Sequence, residues 1–361
     1  MKFKHILDGY KPVCVHGGKL FIVRHNALYR YDIKNKQEEL LLYIPIRNKW
    51  KYYLSKVRVL ERILRTQPRA AILKGEFLYL SYKSVLYTIN LEKKEIEDIH
   101  YYSHPENNPL PSDLAYIKGI NGFHDQMVYG EYWMNDTGEP ISIYSHSDKW
   151  TDVYTFPRNT VRHIHAIVPD KYRNCVWILT GDKDGESGFW KATDDFKKVE
   201  KVVIGSQQFR SCCAHVYSTG ILYATDSPDE QNYLYFLKID GDKYQIKPIM
   251  KLNGSCIYSK QTSNKSFFST VVEFNNNIHP NFLTWISYER GTAIHSWFSD
   301  IICVDGKDIE IISEKFKKDI WPMRLCRYSA IEFFYDEVYD ETYIYFMAIK
   351  QFDNKIYRLD K

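Results

Sequence analysis

A pattern of short strands and turns recurs along this chain, and it constrains the fold more than any other feature. Residues 12–45 and residues 69–102 both contain a strand, a glycine turn, a second strand, a short turn, a third strand, a charged turn and a fourth strand. Many of these segments alternate apolar and polar residues, as the strands of a half-buried antiparallel sheet do. We therefore predict that the two segments form the same four-stranded unit.

The same order of strands returns with longer insertions further along the chain. The candidate units span residues 12–45, 69–102, 114–157, 163–205, 209–252, 255–316 and 323–361. Units of about four strands at a period of roughly 35–60 residues are typical of a β-propeller. We predict an all-β fold, a seven-bladed β-propeller that occupies residues 1–361 as one domain. Six blades are the alternative, because the sixth unit is long and irregular.

The N-terminus supplies a strand that belongs to no unit. Phe3 to Leu7 form this spare strand, whereas the last unit shows only three clear strands. We predict that the spare strand becomes the outer strand of the final blade and closes the ring. Closure would remove the two unpaired sheet edges that an open ring leaves.

Residues 50–66 interrupt the repeats and predict a helix. Its apolar residues fall on one face, and the remaining positions are rich in lysine and arginine. The apolar positions are Leu54, Val57, Leu60, Ile63 and Leu64. One interpretation is a helix packed on the rim between the first two blades, and the other is a helix that meets a membrane surface or a partner.

The composition fits this fold and excludes several classes of function. Aromatic residues make up 16% of the chain, and tyrosine and phenylalanine favour the pleated surface of a sheet. The 49 basic and 45 acidic residues nearly balance, which argues against nucleic acid as the partner. The seven cysteines are scattered and include no CxxC pair, so neither a zinc knuckle nor a thioredoxin-type site is indicated. Their placement in apolar strands favours a reducing compartment.

The first residues and the hydropathy of the chain bear on its location. The N-terminus lacks the apolar region of a signal peptide. No run approaches the roughly 18 apolar residues of a membrane span. We therefore expect a soluble, cytoplasmic protein. No P-loop, GxGxxG, HExxH or GxSxG motif occurs, so we assign no cofactor.

Two turns between third and fourth strands match part of the Asp-box pattern. The matching residues are Ser145, Ser147, Asp148 and Trp150 in one turn, and Thr193, Asp194 and Phe196 in the other. We expect each aspartate to accept hydrogen bonds from backbone N–H groups of its own turn. With these turns, the segments YGEYW, RHIH and SQQFR resemble the sialidase-like, neuraminidase-type β-propeller superfamily, and more closely a bacterial and archaeal branch of it. The resemblance covers about residues 110–275 and implies a protein that binds or cleaves glycans.

Polar side chains are concentrated in the fourth unit. His163 and His165 lie two residues apart on a predicted strand, so they face the same side. This spacing suits two ligands of one metal ion, contacts to a sugar, acid–base work or a hydrogen-bonded structural pair. Asp182, Asp184 and Glu186 follow the next strand. Their spacing is typical of a calcium-type loop or of a solvated turn.

Glu131 and Tyr132 follow a predicted strand of the third unit. Glu131 is a candidate general acid or base, and the Tyr132 ring could stack on a sugar. Sialidase-type enzymes use a tyrosine activated by a glutamate, whereas an ordinary glycosidase uses paired carboxylates. The alternative for Glu131 is an ion pair with an arginine between blades.

Arginines stand near the start of the innermost strand in several units. They are Arg69, Arg162, Arg210 and, in the seventh unit, Arg327 or alternatively Arg324. The starts of these strands point to one mouth of the central channel, where several guanidinium groups would bind carboxylates or sulfates. The alternative is a set of salt bridges between blades. Asp226 and Asn232, on a loop of the fifth unit, would bond ligand hydroxyl groups.

The sequence thus predicts a site for an acidic oligo- or polysaccharide at the channel mouth. Hydrolysis would use Glu131 with an acidic partner such as Asp182. Elimination would use His163 or His165 as the base beside a carboxylate that an arginine neutralises, because neutralisation acidifies the α-proton. The alternative is a non-catalytic glycan- or protein-binding scaffold in a polysaccharide pathway. No metal ligand is assigned, and metal binding at the histidine pair or the acidic loop stays open.

Overall fold

The computed structural model of the chain describes residues 1–46, 48–104, 113–147, 149–275, 281–305 and 311–360. Within these residues, the strands form seven antiparallel sheets of four strands each. The prediction of a seven-bladed β-propeller is confirmed, and the six-bladed alternative is wrong.

Each blade corresponds to one predicted repeat. The first three blades contain β2 (Lys11–His16), β3 (Lys19–Arg24), β4 (Ala27–Asp32) and β5 (Gln37–Tyr43); β6 (Ala70–Lys74), β7 (Phe77–Ser81), β8 (Val85–Asn90) and β9 (Glu95–Tyr101); and β10 (Ala115–Ile117), β11 (Gln126–Gly130), β12 (Ile141–His146) and β13 (Trp150–Phe156). The fourth and fifth contain β14 (His163–Asp170), β15 (Cys175–Gly181), β16 (Gly188–Thr193) and β17 (Lys198–Ile204); and β18 (Cys213–Tyr217), β19 (Gly220–Ala224), β20 (Tyr233–Asp240) and β21 (Lys243–Lys251). The last two contain β22 (Cys256–Gln261), β23 (Lys265–Thr270), β24 (Phe298–Asp305) and β25 (Ile311–Lys317); and β26 (Ala330–Asp336), β27 (Glu341–Met347), β28 (Lys355–Asp360) and β1 (Lys2–Asp8).

The N-terminal strand closes the ring, as predicted. β1 pairs antiparallel with β28, with Phe3 opposite Leu359. The Phe3 ring meets the Phe316 ring edge-on at 5.4 Å between centroids, so the strand also packs against the sixth blade. On the inner side, β2 of the first blade contacts β26 of the last. Both ends of the ring are therefore joined.

The apolar core lies between neighbouring blades. Sheets that pack face to face bury side chains on both inner faces, so a strand between two blades has no solvent-facing side. β15 shows this, since all seven of its residues are buried. Its sequence, CVWILTG, accordingly lacks the polar alternation of a strand with one wet face.

One end of the propeller bears the helices and the long connections. In a blade of four antiparallel strands, the connection from the previous blade and the turn between the second and third strands lie at the same end. We call this end the top face. Its helices are α1 (Lys49–Leu54), α2 (Arg58–Leu64), α3 (Phe282–Trp285) and α4 (Met323–Cys326).

The insertion at residues 50–66 is helical, but it forms two helices rather than one. The predicted apolar face is wrong, because Leu54 and Val57 are 41% and 56% exposed while Arg62 is buried. The Arg62 Nε donates to the Cys326 carbonyl oxygen at 2.8 Å, and its guanidinium also pairs with Asp319. A buried charge is tolerated where it is paired and hydrogen-bonded. α2 is therefore held on the rim by polar contacts.

The two Asp-box-like turns lie between third and fourth strands, as expected, but the contacts of the second turn differ from the pattern. Asp148 lies outside the described residues. Asp194 contacts the Lys197 Nζ at 3.7 Å instead of capping its own turn, and Asp195 accepts from the Gln126 Nε2 at 2.6 Å. Phe196 is fully buried. The second turn is thus anchored by its ring and by contacts to a neighbouring blade.

Each of the seven cysteines is a free thiol. No helix in the described ranges has the length and apolar character needed to cross a membrane. The cytoplasmic location stays a prediction.

Removing the aromatic contact of the closing strand should weaken the whole fold. We expect Phe3→Ala to lower the free energy of unfolding by about 1–3 kcal/mol, because a partly buried ring leaves a cavity between two blades. Lys4→Ala, on the exposed side of the same strand, should change it by no more than about 0.5 kcal/mol. Urea denaturation of both variants measures the difference, and equal stabilities would contradict a closing role for β1.

Candidate functional site at the channel mouth

Two histidines of β14 lie at the centre of the top-face mouth. His163 and His165 are each only 1% exposed. The pairing of β14 with β15 shifts between Ile164 and Ala166, so His165 is the extra residue of a β-bulge. Bulges redirect side chains next to functional sites. Here the imidazole Nε2 atoms of the two histidines lie 3.0 Å apart.

Gly181 makes room for this arrangement. A Cβ atom at this position would lie 2.8 Å from the His165 Cε1 atom and 3.3 Å from the Arg210 Cγ atom. Any other residue at position 181 would therefore displace the imidazole ring.

The other nitrogen of each imidazole contacts a backbone carbonyl oxygen. The His163 Nδ1 lies 3.2 Å from the Trp133 oxygen, and the His165 Nδ1 lies 3.2 Å from the Ser211 oxygen. A carbonyl oxygen only accepts, so each Nδ1 must be the protonated nitrogen. In the neutral rings, both Nε2 atoms are then acceptors that face one another.

A carboxylate oxygen completes this group of acceptors. The Asp182 Oδ1 lies 3.3 Å from the His163 Nε2 and 3.2 Å from the His165 Nε2. The Arg210 Nη2 contacts the same oxygen at 3.0 Å, and its Nη1 donates to the Asp182 carbonyl oxygen at 3.1 Å. Burial alone would raise the Asp182 pKa, but His163, His165 and Arg210 outweigh it and hold that pKa well below its usual range. Burial lowers the pKa of His163 despite the nearby carboxylate.

Acidic groups continue from Asp182 towards the sixth blade. The buried Asp226 accepts from the Cys212 Sγ at 3.3 Å and lies 4.0 Å from the Arg210 Nη2. Burial raises the Asp226 pKa. Glu273 follows, and its Oε1 atom is buried with no hydrogen-bond partner among the described residues.

Sequence reasoning missed Cys212 and Glu273, although a signal for Glu273 was present. An acidic residue follows the second strand in four consecutive blades, and these residues are Glu131, Asp182, Asp226 and Glu273. Aligning the repeats by their second strands would have identified the fourth member. Cys212 offers no comparable signal, because its proximity to Asp226 depends on the packing of two strands.

The opposite side of the mouth is basic and aromatic. The Arg69 guanidinium lies over the Tyr132 ring, 5.1 Å from its centroid. The Tyr132 ring in turn stacks on the His163 ring at 4.1 Å between centroids. Partial burial and then the charges of Arg327 and Arg69 lower the pKa of Arg65. The structure therefore brings the three arginines near one another, with Arg69 next to Tyr132.

Two predicted site residues are engaged elsewhere. The Glu131 Oε2 accepts from the Ser142 backbone N–H at 2.7 Å, and its other oxygen accepts from Ser103. Arg162 pairs with Asp136 at 2.6 Å. These contacts place both side chains outside the histidine cluster, so the predicted pairing of Glu131 with Asp182 does not form.

Asn232 and the acidic loop also differ from expectation. The Asn232 side chain is fully buried and bonds within its own loop, to Thr225, Ser227 and Glu230, which leaves it no free group for a ligand hydroxyl. Asp184 is exposed and accepts from the Gln207 Nε2 at 3.0 Å. Among the described residues, the groups spaced for a metal ion include Asp182 but neither Asp184 nor Glu186, so no calcium-type loop is assembled.

Two sets of three side chains are spaced to hold a metal ion within the described part of the chain. One is His163, His165 and Asp182, and the other is His165, Cys212 and Asp226. In each set the ligand atoms lie within 4.8 Å of one another. The sets share His165, whose single unprotonated nitrogen can serve only one of them.

A separate cavity of about 320 Å³ lies beside α2. Its walls include the ion pairs of Arg58 with Asp353, at 2.8 Å, and of Arg62 with Asp319. The cavity is therefore lined by charges that already neutralise one another, and we place the candidate site at the channel mouth instead.

Comparison with known proteins identifies the fold. No protein-family model matches the chain, and no curated protein sequence matches it. Among solved structures, the CNH domain of AfRom2 is similar with a TM-score of 0.56 and 9% identity, over 100% of this chain and 99% of that one. The Cps50 (Swd1) β-propeller domain of Myceliophteria thermophila gives a TM-score of 0.54 and 9% identity, over 99% and 98% of the two chains.

A chain of the Mitotic Checkpoint Complex is also similar, with a TM-score of 0.55 and 7% identity, over 100% of this chain and 91% of that one. At such low identity these likenesses establish the seven-bladed propeller fold alone. They do not support the narrower resemblance to sialidases.

The buried carboxyl group of Glu273 should make stability depend on pH. Burial, and then the charge of Asp226, raise the Glu273 pKa to about 8. The folded chain then holds a proton that the unfolded chain has lost, so this contribution to stability disappears as the pH rises through that value. We expect Glu273→Gln to gain stability relative to the wild-type protein between about pH 5 and about pH 8, by more than about 1 kcal/mol.

Denaturant unfolding across that pH range measures the effect. Glu289→Gln, which removes an exposed carboxyl group from the same connection, is the matched control and should follow the wild-type profile. Parallel curves for the wild-type protein and Glu273→Gln would contradict a buried, protonated Glu273.

Proposed function

We propose that this chain is a non-catalytic propeller that binds an acidic segment of a partner protein at the mouth of its top face. The observation that most supports this proposal is the group of arginines there. Within the described residues, Arg65, Arg69 and Arg327 have no carboxylate partner. Guanidinium groups bind carboxylates in a two-pronged geometry, so unpaired arginines in a concave mouth favour an anionic ligand.

The backbone at Arg327 supports a binding role. Arg327 has φ 69° and ψ 154°, a combination that residues other than glycine rarely adopt. Such strain costs on the order of 1–3 kcal/mol and is concentrated at ligand-binding sites. The strained residue directs an arginine into the mouth at the start of the seventh blade.

Exposed aromatic and aliphatic side chains lie on the same face as the arginines. Trp50 and Tyr53 of α1 are 56% and 64% exposed, and Phe282 and Leu283 of α3 are 78% and 71% exposed. Large exposed apolar side chains mark interaction surfaces, and tryptophan, tyrosine and arginine dominate the binding energy of protein interfaces. Exposed apolar side chains on the same face as these basic groups, which we call the apolar rim, favour a protein partner over a sugar chain.

One of the similar folds was solved as part of a protein assembly, the Mitotic Checkpoint Complex. A propeller of this shape can therefore serve as an interaction module. The likeness is one of fold, so it supports the class of function and says nothing about the partner.

The second candidate is cleavage of an acidic glycan, as the sequence suggested. The convergence of His163, His165 and Asp182 beside Arg210 favours it. Against it, Glu131 is held by Ser142 and Ser103, away from the cluster. Hydrolysis by Glu131 and Asp182 would require both to reach one glycosidic bond.

Binding of a fluorescent oligo-glutamate peptide tests the proposal. We expect Arg69→Gln and Arg327→Gln each to weaken binding about tenfold in fluorescence anisotropy, because each removes a charge-assisted hydrogen bond worth about 1.4 kcal/mol or more. Affinity should also fall as salt is added, because exposed charges are screened. Arg158→Gln is the matched control, since Arg158 lies on the same face but already pairs with Glu139 at 2.6 Å.

A second experiment, a turnover assay, separates the two candidates. Oligogalacturonate is added to the wild-type protein and to Glu131→Gln and His163→Ala, and its breakdown is followed by chromatography. Turnover by the wild-type protein that either substitution abolishes would establish the second candidate. A peptide that binds all arginine variants equally would refute the proposed role of the mouth.

A further inference from the structure

We propose that His163, His165 and Asp182 bind one divalent transition-metal ion, with Zn²⁺ as the best match, through the two Nε2 atoms and the carboxylate Oδ1. We call these three residues the metal triad. This inference is independent of the partner-binding proposal, because it depends on the triad alone.

When both imidazoles are neutral, the hydrogen-bond roles within the triad favour a bound cation. Each Nδ1 donates to a carbonyl oxygen, so both neutral rings direct an Nε2 lone pair at one another across 3.0 Å. The Asp182 Oδ1 adds a third acceptor, 3.2 and 3.3 Å from the two nitrogens. Three acceptors at hydrogen-bond distance repel one another unless a positive centre lies among them. A metal ion meets this requirement at all three atoms at once.

The separations match a coordination sphere. Ligand atoms about 2.0–2.1 Å from zinc in a tetrahedral arrangement lie about 3.3–3.4 Å apart. The three edges of the triad are 3.0, 3.2 and 3.3 Å, so only a small relaxation would place the atoms around one ion. Two imidazoles and one carboxylate are also ligands that divalent first-row metals accept.

The surroundings of the triad resemble the outer shell of a metal site. Metal-bound histidines usually donate their second N–H to a carbonyl or carboxylate, as both rings do here. The ligating carboxylate is in turn hydrogen-bonded, and Arg210 supplies that contact to Asp182 at 3.0 Å. Stacking of Tyr132 on His163 at 4.1 Å further fixes the ring. Three protein ligands leave a coordination position for water or a ligand oxygen.

The overlapping set of His165, Cys212 and Asp226 fits less well. Its ligand atoms lie within 4.8 Å of one another, and the Cys212 Sγ already donates to Asp226 at 3.3 Å. A cysteine binds metal as a thiolate, so this proton would have to leave. We therefore assign the ion to the triad and leave Cys212 as a neighbour.

Metal titration of the full chain tests the site. The protein is dialysed against a chelator, and ZnCl₂ is then titrated in by isothermal titration calorimetry, with metal content measured by mass spectrometry. We expect one ion per chain and a rise in the melting temperature with added Zn²⁺. Co²⁺ should give visible absorption bands typical of low-coordinate nitrogen and oxygen ligation. Absence of binding by the wild-type protein would overturn the proposal, whatever the variants do.

Substitutions then locate the ion. His163→Gln and Asp182→Asn should each weaken Zn²⁺ binding at least tenfold, whereas Cys212→Ser should change it less than twofold. Circular dichroism checks that each variant is folded. If a variant is unfolded, the stoichiometry of Zn²⁺ binding to the wild-type protein still tests the proposal. A loss in Cys212→Ser equal to that in His163→Gln would overturn the assignment to the triad.

Discussion

The pairing of β1 with β28 is the contact on which the rest of the structure depends. It joins the first residues of the chain to the last and makes the seventh blade a four-stranded sheet. A propeller blade is stable only against two neighbours, because each blade buries its apolar side chains between sheets. Without closure, two blades would expose these faces and two sheet edges would stay unpaired. The channel mouth exists because the closed ring brings seven strand ends to one circle.

Closure also gives the mouth its division of charge. The cations lie near the first, second and seventh blades. Arg69 and Arg327 precede the innermost strands of the second and seventh blades, and Arg65 ends α2 between the first and second blades. The fourth to sixth blades contribute Asp182, Asp226 and Glu273. These groups are far apart in the sequence and near one another only across the channel. Their burial requires compensation, which Arg210 supplies to Asp182, whereas Glu273 is compensated by taking up a proton.

The two halves of the mouth suit different ligands. Unpaired guanidinium groups beside tyrosine rings favour an anion, and the apolar rim favours a partner large enough to cover it. The converging acceptors of the metal triad favour a cation. Tyr132 touches both halves, since its ring lies between the Arg69 guanidinium and the His163 imidazole. A ligand carboxylate at Tyr132 would therefore lie between the arginines and the proposed metal ion.

The sequence by itself determined the blades, the closing strand and the positions of several polar residues at the channel mouth. The hydrophobic periodicity of a strand is visible in the local sequence, and residues next to strand ends lie at the end of the blade. His163, Asp182 and Arg210 could therefore be placed from the repeat alone. Tertiary structure decided which way the side chains point. The bulge at His165, the carbonyl partner from Ser211 and the burial of Arg62 against Cys326 all depend on distant segments. Likewise Glu131 follows a strand and Asn232 lies on a loop of the fifth blade, as predicted, yet local and cross-loop hydrogen bonds use up their polar groups. Hydrogen bonds act over about 3 Å, so a sequence pattern fixes the strand but not the partner.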